Sequence, residues 1–374
     1  MNTLRQLITD TSARINAAVA TRLDRAFVHF AFRTPPGADQ VPPADRMTDL
    51  LDEAAPFYDR AARTGALFQP PSRPRVEMVQ VRSRYAGHGA AYDLSWPSGY
   101  SPLHPRYAQA LAQCPETRTC HARWFKHDDP APAMICLHGW GAGEYTGEQL
   151  AFPVRWMFSR CQLDVVLMNM PFHARRKAGL GRSTPAFPTP DPTRSVEGFA
   201  HAIQDARTLI DLLLDRGAPW VGVMGMSLGG YTSALLATVE PRLACAVPLM
   251  PFASLPELIW RHGHDTPSQR TAIDAGVTLE RLALAMRSVS PLDRPARIDT
   301  SRILIGAGER DGITLTSQAR KLYDHFQGSH LCLFPGGHLY QYGRRRVFAA
   351  FHDLQRQIRH DRGEPLTIDL AVAA

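Results

Sequence analysis

The sequence is short of several things, and each shortage closes off a class of function. No apolar run is long enough to cross a bilayer, so no stable membrane insertion is expected. The first residues, "MNTLRQLITDTSARINAAVATRLDRAF", are interrupted by Arg5, Asp10, Arg14 and Arg22. They lack the unbroken apolar stretch of a secretory leader, and a cytoplasmic protein is expected. Lysine is nearly missing: Lys126, Lys177 and Lys321 are the only ones, so the formal charge of +7 rests on scattered arginines. Without a long basic block there is no nucleic-acid arm, and no nucleic-acid partner is expected. The six cysteines include no CxxC pair, which argues against a structural zinc site. Cys136, Cys245 and Cys332 lie inside apolar runs and read as reduced core residues. No blade-length repeat is present.

What is there suits a folded domain. The chain has 374 residues, 44% of them hydrophobic and 21% charged. Residues 1–75 read as a helical extension ending in the Pro-rich "FQPPSRPR". Leu4, Ile8, Ile15, Val19, Leu23 and Phe27 fall near one helical face. Such a helix would pack on the main domain or, through the N-terminal helices, on a second copy of the chain. From about Val76 the pattern changes to strands, first "VEMVQVRS" and then "HARWFKH". Apolar runs then alternate with helical stretches: "AMICLHG", "LDVVLMNM", "WVGVMG", "ACAVPLM", "RILIGAG" and "HLCLF" as strands. The helix "SVEGFAHAIQDARTLIDLLLDRG" carries Gly217 where a C-cap belongs. Apolar strands alternating with helices predict an α/β fold with a mostly parallel central sheet covered on both faces. The core is expected at residues 76–251 and 300–374, with residues 252–299 inserted as a helical cap.

In such a sheet, reactive groups belong just after strands. The stretch "VGVMGMSLGGYTSALLA" holds Ser227 in Gly-x-Ser-x-Gly at a strand-to-helix corner. Its glycines either serve close packing alone or hold Ser227 out as a nucleophile. A serine hydroxyl needs a base, and His338, in "PGGHLY" after "HLCLF", is the best placed of fifteen histidines. The base needs an acid; Asp311 follows "RILIGAG" in "ERDGIT", with Glu309 as the substitute. An oxyanion needs two donors, and the backbone N–H groups of Leu228 and of Trp140, in "HGWGAG", are expected to supply them. His138 reads as a hydrogen-bonding residue rather than a base. His173, Tyr231 and Trp260 are candidates for the pocket wall, against plain packing. His262 and His264, with Asp265, have no identifiable third partner, so no metal site is expected. The cluster Arg175-Arg176-Lys177 with Arg182 is either a solvated loop face or a contact for an anionic substrate.

Across about residues 76 to 360 these features resemble the α/β-hydrolase superfamily. The resemblance rests on "HGWG" as oxyanion loop, "GMSLGG" as nucleophile elbow, "GERDG" as acid turn and "GGH" as histidine loop. It implies Ser227 as nucleophile, Asp311 as acid, His338 as base and the Trp140 and Leu228 amides as oxyanion hole. The tryptophan after His-Gly also looks like haloalkane dehalogenases and epoxide hydrolases, but those carry Asp where this chain carries Ser227. The implied activity is a serine esterase acting on a small-molecule acyl ester, with no cofactor. A serine peptidase, a thioesterase, an acyltransferase or a non-catalytic binding protein on the same scaffold are the alternatives. The apolar cap residues Phe252, Leu255, Ile259, Trp260, Leu282 and Leu284 favour an acyl or aromatic group over a sugar.

Overall fold

The structure is a computed structural model that describes residues 2–33, 42–178 and 186–364; Arg182 lies outside them, as do the side chains of Leu4 and Ile8. Two helices, α1 (Asn2–Arg33) and α2 (Ala44–Arg63), precede the sheet. The chain then forms β1 (Glu77–Val81), β2 (Gly89–Pro97), α3 (Pro105–Gln113), β3 (Thr119–His127) and β4 (Ala133–Leu137). Next come α4 (Tyr145–Ala151), α5 (Val154–Ser159), β5 (Asp164–Met168), α6 (Pro192–Asp215), β6 (Val221–Met226), α7 (Leu228–Ala237) and β7 (Leu243–Leu249). Three helices follow, α8 (Leu255–His262), α9 (Pro267–Asp274) and α10 (Leu279–Met286), before β8 (Leu304–Gly308), α11 (Thr316–His325), β9 (His330–Phe334) and α12 (Arg345–Asp361).

The nine strands lie in the order β1-β2-β3-β5-β4-β6-β7-β8-β9. The first three run antiparallel, and β3 also meets β5 antiparallel; from β5 to β9 the pairing is parallel. Every residue of β4, β5, β7 and β8 is buried, which is why these strands read as unbroken apolar runs. One apolar cluster fills each side of the sheet. Helix α6 is the central pillar on one side. Asp191 caps it by accepting from the N–H groups of Thr193 (2.9 Å) and Arg194 (3.2 Å), and Gly217 at φ 93° ends it. It buries Val196, Phe199, Ile203, Leu209 and Ile210, each such side chain contributing about 1.5–3 kcal/mol.

The order of strands also dictates where a site can form. β4 sits between β5 and β6, so the winding of the chain reverses there. Connections leave in opposite directions and open a crevice beyond the carboxyl ends of β4 and β6.

Several features depart from expectation. The strand β2, "GAAYDLSWP", went unread because Gly89, Asp93, Ser95 and Pro97 dilute its strand-like composition; it pairs along its whole length with β3. The apolar side of α1 faces outward, with Ile15 at 58% and Leu23 at 44% exposure. The buried side holds Ala20 and Asp24 instead, because the surface beneath offers loop amides rather than an apolar sheet. Of the apolar cap residues, Phe252, Leu255 and Leu282 are buried while Leu284 faces solvent. Helices α9 and α10, which follow β7, pack on α2. Among the described residues, no helix is long and apolar enough to cross a membrane.

Candidate active site

The corner after β6 is strained by design of its neighbours. Ser227 has φ 57° and ψ −111°, a region that costs a non-glycine residue about 1–3 kcal/mol. It is held there from both sides: its N–H donates to the Leu249 carbonyl at 2.8 Å, and its carbonyl accepts from the Tyr231 N–H at 2.9 Å. The flanking glycines have no alternative. A Cβ on Gly225 would lie 1.9 Å from the Gly229 carbonyl oxygen, and one on Gly229 would lie 1.9 Å from the Leu137 carbonyl oxygen. Both obstacles are backbone, so they cannot swing aside. Ser227 itself stays half-buried, and its hydroxyl makes no hydrogen bond among the described residues.

His338 and Asp311 come from the turns after β9 and β8. The imidazole Nδ1 lies 2.8 Å from Asp311 Oδ2. Asp311 Oδ1 accepts from the N–H groups of Ile313 (2.9 Å) and Thr314 (2.8 Å), and Thr314 Oγ1 lies 2.8 Å from Oδ2. The carboxylate is therefore saturated and fixed, which places the proton on Nδ1 and leaves Nε2 as the acceptor of the ring. Glu309 is exposed and takes no part. Burial pulls the His338 imidazole down, but Asp311 and then Asp24 outweigh it, so its pKa is raised above the ordinary histidine value. Burial pushes Asp311 up; the His338 charge and the Thr314 hydrogen bonds reverse that and hold it below the usual carboxylate range. The histidine loop reaches the serine corner through Gln341, whose amide donates to the His338 carbonyl (2.9 Å) and contacts Met226 Sδ (3.6 Å), one residue before Ser227.

The loop after β4 closes the other side. A Cβ on Gly139 would lie 3.6 Å from the Ser227 Cβ. Among the described residues, neither the Trp140 N–H nor the Leu228 N–H finds an acceptor. Leu228 opens α7, where the first amides are free to bind an anion. His138 holds the loop in shape. Its Nε2 accepts from the Met170 N–H at 3.0 Å, so Nδ1 carries the proton and donates to the Gly139 carbonyl at 2.8 Å. Burial presses its pKa down to about 4.

The other expected site residues are largely engaged in packing and internal hydrogen bonds. His173 is fully buried, with Nδ1 on the Pro171 carbonyl (2.8 Å), a pKa pushed down to about 3 by burial, and its ring 5.0 Å from that of His138. Tyr231 is buried too: its hydroxyl donates to the Val289 carbonyl at 2.9 Å and its ring stacks on Phe252. Trp260 is half-buried in the cap against the core. His262 places Nε2 2.6 Å from the Ile313 carbonyl, and His264 is exposed beside Asp265. Among the described residues, no group of three or more His, Cys, Asp or Glu could hold a metal. The basic cluster splits. Arg175 pairs with Asp93 (3.2 Å), whereas Arg176 is wholly buried, 2.8 Å from Asp205 and bonded to the Thr117 carbonyl. Arg176 is not a solvated face: its guanidinium is spent on internal partners. One residue went unforeseen: Asp24 of α1 touches the histidine loop. Nothing in the pattern around it, "TRLDRAF", sets it apart from a surface acid.

Comparison with known proteins adds to this geometry. The profile of a family described as serine hydrolase (FSH1) matches residues 129–340. An uncharacterized protein of Mycobacterium tuberculosis is 29% identical over 282 residues, as is its counterpart in a second strain. The match takes in 74% of this chain, which spans only 65% of the length of these curated relatives. Two solved acetyl xylan esterases share the fold. One, from Paenibacillus, has a TM-score of 0.56 and 14% identity, with 83% of this chain and 99% of that one covered. The other, from Thermoanaerobacterium, has a TM-score of 0.53 and 17% identity, covering 83% and 93%. The architecture is that of the α/β-hydrolases.

Proposed function

The chain belongs to the serine hydrolase (FSH1) family, and from that footing we propose that it cleaves carboxylic esters through an acyl-enzyme intermediate. Ser227 attacks the ester carbonyl while His338 Nε2 takes its proton. The tetrahedral oxyanion rests on the Leu228 and Trp140 amides. His338 then protonates the departing alcohol, and a water activated by the same nitrogen releases the acid. Asp311 keeps Nδ1 protonated and stabilises the imidazolium.

What supports this above all is the fixed Asp311–His338 pair, 2.8 Å apart, on a loop tied to the residue before a strained, half-buried serine. A positive-φ serine is expensive to keep, and a base held in one tautomer, on a loop tied to the neighbouring Met226, is the use proposed for that expense. The test is labelling with a fluorophosphonate, followed by p-nitrophenyl esters of rising chain length set beside thioester and peptide substrates. The native chain is expected to label and to hydrolyse esters fastest. A preference for thioesters or peptides would redirect the substrate class, and a native chain inert to label and substrates alike would remove the enzyme reading.

A further inference from the structure

We propose that Asp24, on the first helix, is a positioning residue that sets the place of His338, so that α1 is a working part of the site and not an appendage. This rests on the assignment of His338 as the base.

Asp24 is fully buried, and its partners among the described residues are three backbone amides. Oδ2 accepts from the Gly312 N–H (3.0 Å) and the His338 N–H (2.8 Å), and Oδ1 accepts from the Leu339 N–H (3.0 Å). Gly312 is the residue after Asp311. One carboxylate therefore grips the acid turn and the histidine loop together, from a helix that lies outside residues 129–340. Its loss would leave the buried His338 amide and two part-buried amides without their acceptor, and a buried amide left unpaired costs more than the contact itself.

The two glycines beside the acid and the base are shaped for this carboxylate. A Cβ on Gly337 would lie 2.7 Å from Asp24 Oδ2 and 3.1 Å from the Ala20 Cβ, and one on Gly312 would lie 3.2 Å from the Asp24 Cβ. The same helix touches the histidine loop again through Asn16, which accepts from the Tyr340 hydroxyl at 3.1 Å, and reaches the Trp140 ring through Phe27. Electrically, Asp24 also favours the imidazolium that forms when His338 takes a proton. The charged groups acting on His338 are Asp311, from the turn after β8, and Asp24, from α1; Thr314 adds a hydroxyl, and His262, from α8, meets the far side of the acid turn through the Ile313 carbonyl.

The experiment uses the full chain as wild type, Asp24→Asn and Gly337→Ala. Ester turnover is measured across pH, and the His338 imidazole is titrated by NMR, its signal assigned with His338→Gln. Asp24→Asn is expected to lower kcat roughly 10- to 100-fold while KM stays within about twofold. Removing the negative charge lowers the imidazole pKa, so the rising limb of kcat/KM moves to lower pH by about half a unit to one unit. Gly337→Ala crowds Oδ2 and is expected to act in the same direction, more weakly. A drop in melting temperature with kcat per folded molecule and the pH limb unmoved would mean that Asp24 only docks the helix, and would overturn the proposal. If the wild type hydrolyses nothing, the base assignment falls by itself. The NMR titration then still decides: a lowered His338 pKa in Asp24→Asn upholds the grip, and an unmoved one removes it.

Discussion

Two sets of serine, histidine and aspartate among the described residues invite comparison, and in the function proposed above only the first reacts. In the first, Ser227 stands on a strained corner, half-buried, with His338 bound to Asp311 through Nδ1 alone. In the second, beside α6, Ser98, His201 and Asp205 are crowded together. Ser98 Oγ lies 2.8 Å from His201 Nε2 and 2.6 Å from Asp205 Oδ1, while Arg176 Nη2 lies 3.0 Å from the same His201 nitrogen. His201 Nδ1 is taken by the Tyr107 hydroxyl at 3.0 Å. Every polar face of that imidazole is spent on its neighbours. Burial lowers the His201 pKa and Arg176 adds to it, against the pull of Asp205; His338 moves the other way. The composition of a triad is thus no guide. What separates the two is whether the ring keeps a nitrogen without a partner among the described residues, and whether the serine hydroxyl is already bonded.

That contrast can be broken at several points. Ser227→Ala is expected to abolish labelling and cut kcat/KM at least ~10³-fold, whereas Ser98→Ala leaves it within about twofold; equal losses in both would erase the distinction. Asp311→Asn should cost roughly 10³- to 10⁴-fold in kcat through the wrong tautomer, while Glu309→Gln, at an exposed position, changes little. Arg176→Met acts on the other set. It strands the buried Asp205 carboxylate and should lower unfolding stability by about 3–5 kcal/mol in urea, with labelling per folded molecule unchanged. A stable variant with lost turnover would instead make this arginine a substrate contact.

The smallest effects are in pH. A raised His338 pKa means that its stabilising contribution is complete below the unfolded value near ~6.5 and is lost as pH rises through the folded value. His201, with a lowered pKa, contributes the opposite slope: stability is lost as pH falls below about 6.5 toward its folded value. Asp311 contributes above its unfolded value and fails as pH falls through its lowered one. Urea midpoints of wild type and His338→Gln from about pH 5 to 9 check the sign for His338. Activity requires neutral His338, so its rising limb should lie above the ordinary histidine value.

Much of the sheet could be read from local pattern, because β4 to β9 are short apolar runs bounded by turns. The sharp corner at Ser227 was equally plain, since its glycines answer to backbone a few residues or one strand away. Three things were not local. Arg176 looked like a surface charge because its partner, Asp205, lies on another element. The outward side of α1 looked like its packing face, because apolar periodicity says nothing about a helix that docks on amides. Asp24 and His338 are 314 positions apart, and a carboxylate that caps distant N–H groups leaves no motif.

That separation bears on the order in which a nascent chain becomes competent. When synthesis has passed β6 and β7, the serine corner and its glycines can already close. The Asp24 carboxylate must wait, solvated, until residues 338 and 339 leave the ribosome. Under the proposed mechanism, Asp24 can hold the base only once it meets the histidine loop, 314 positions further along the chain.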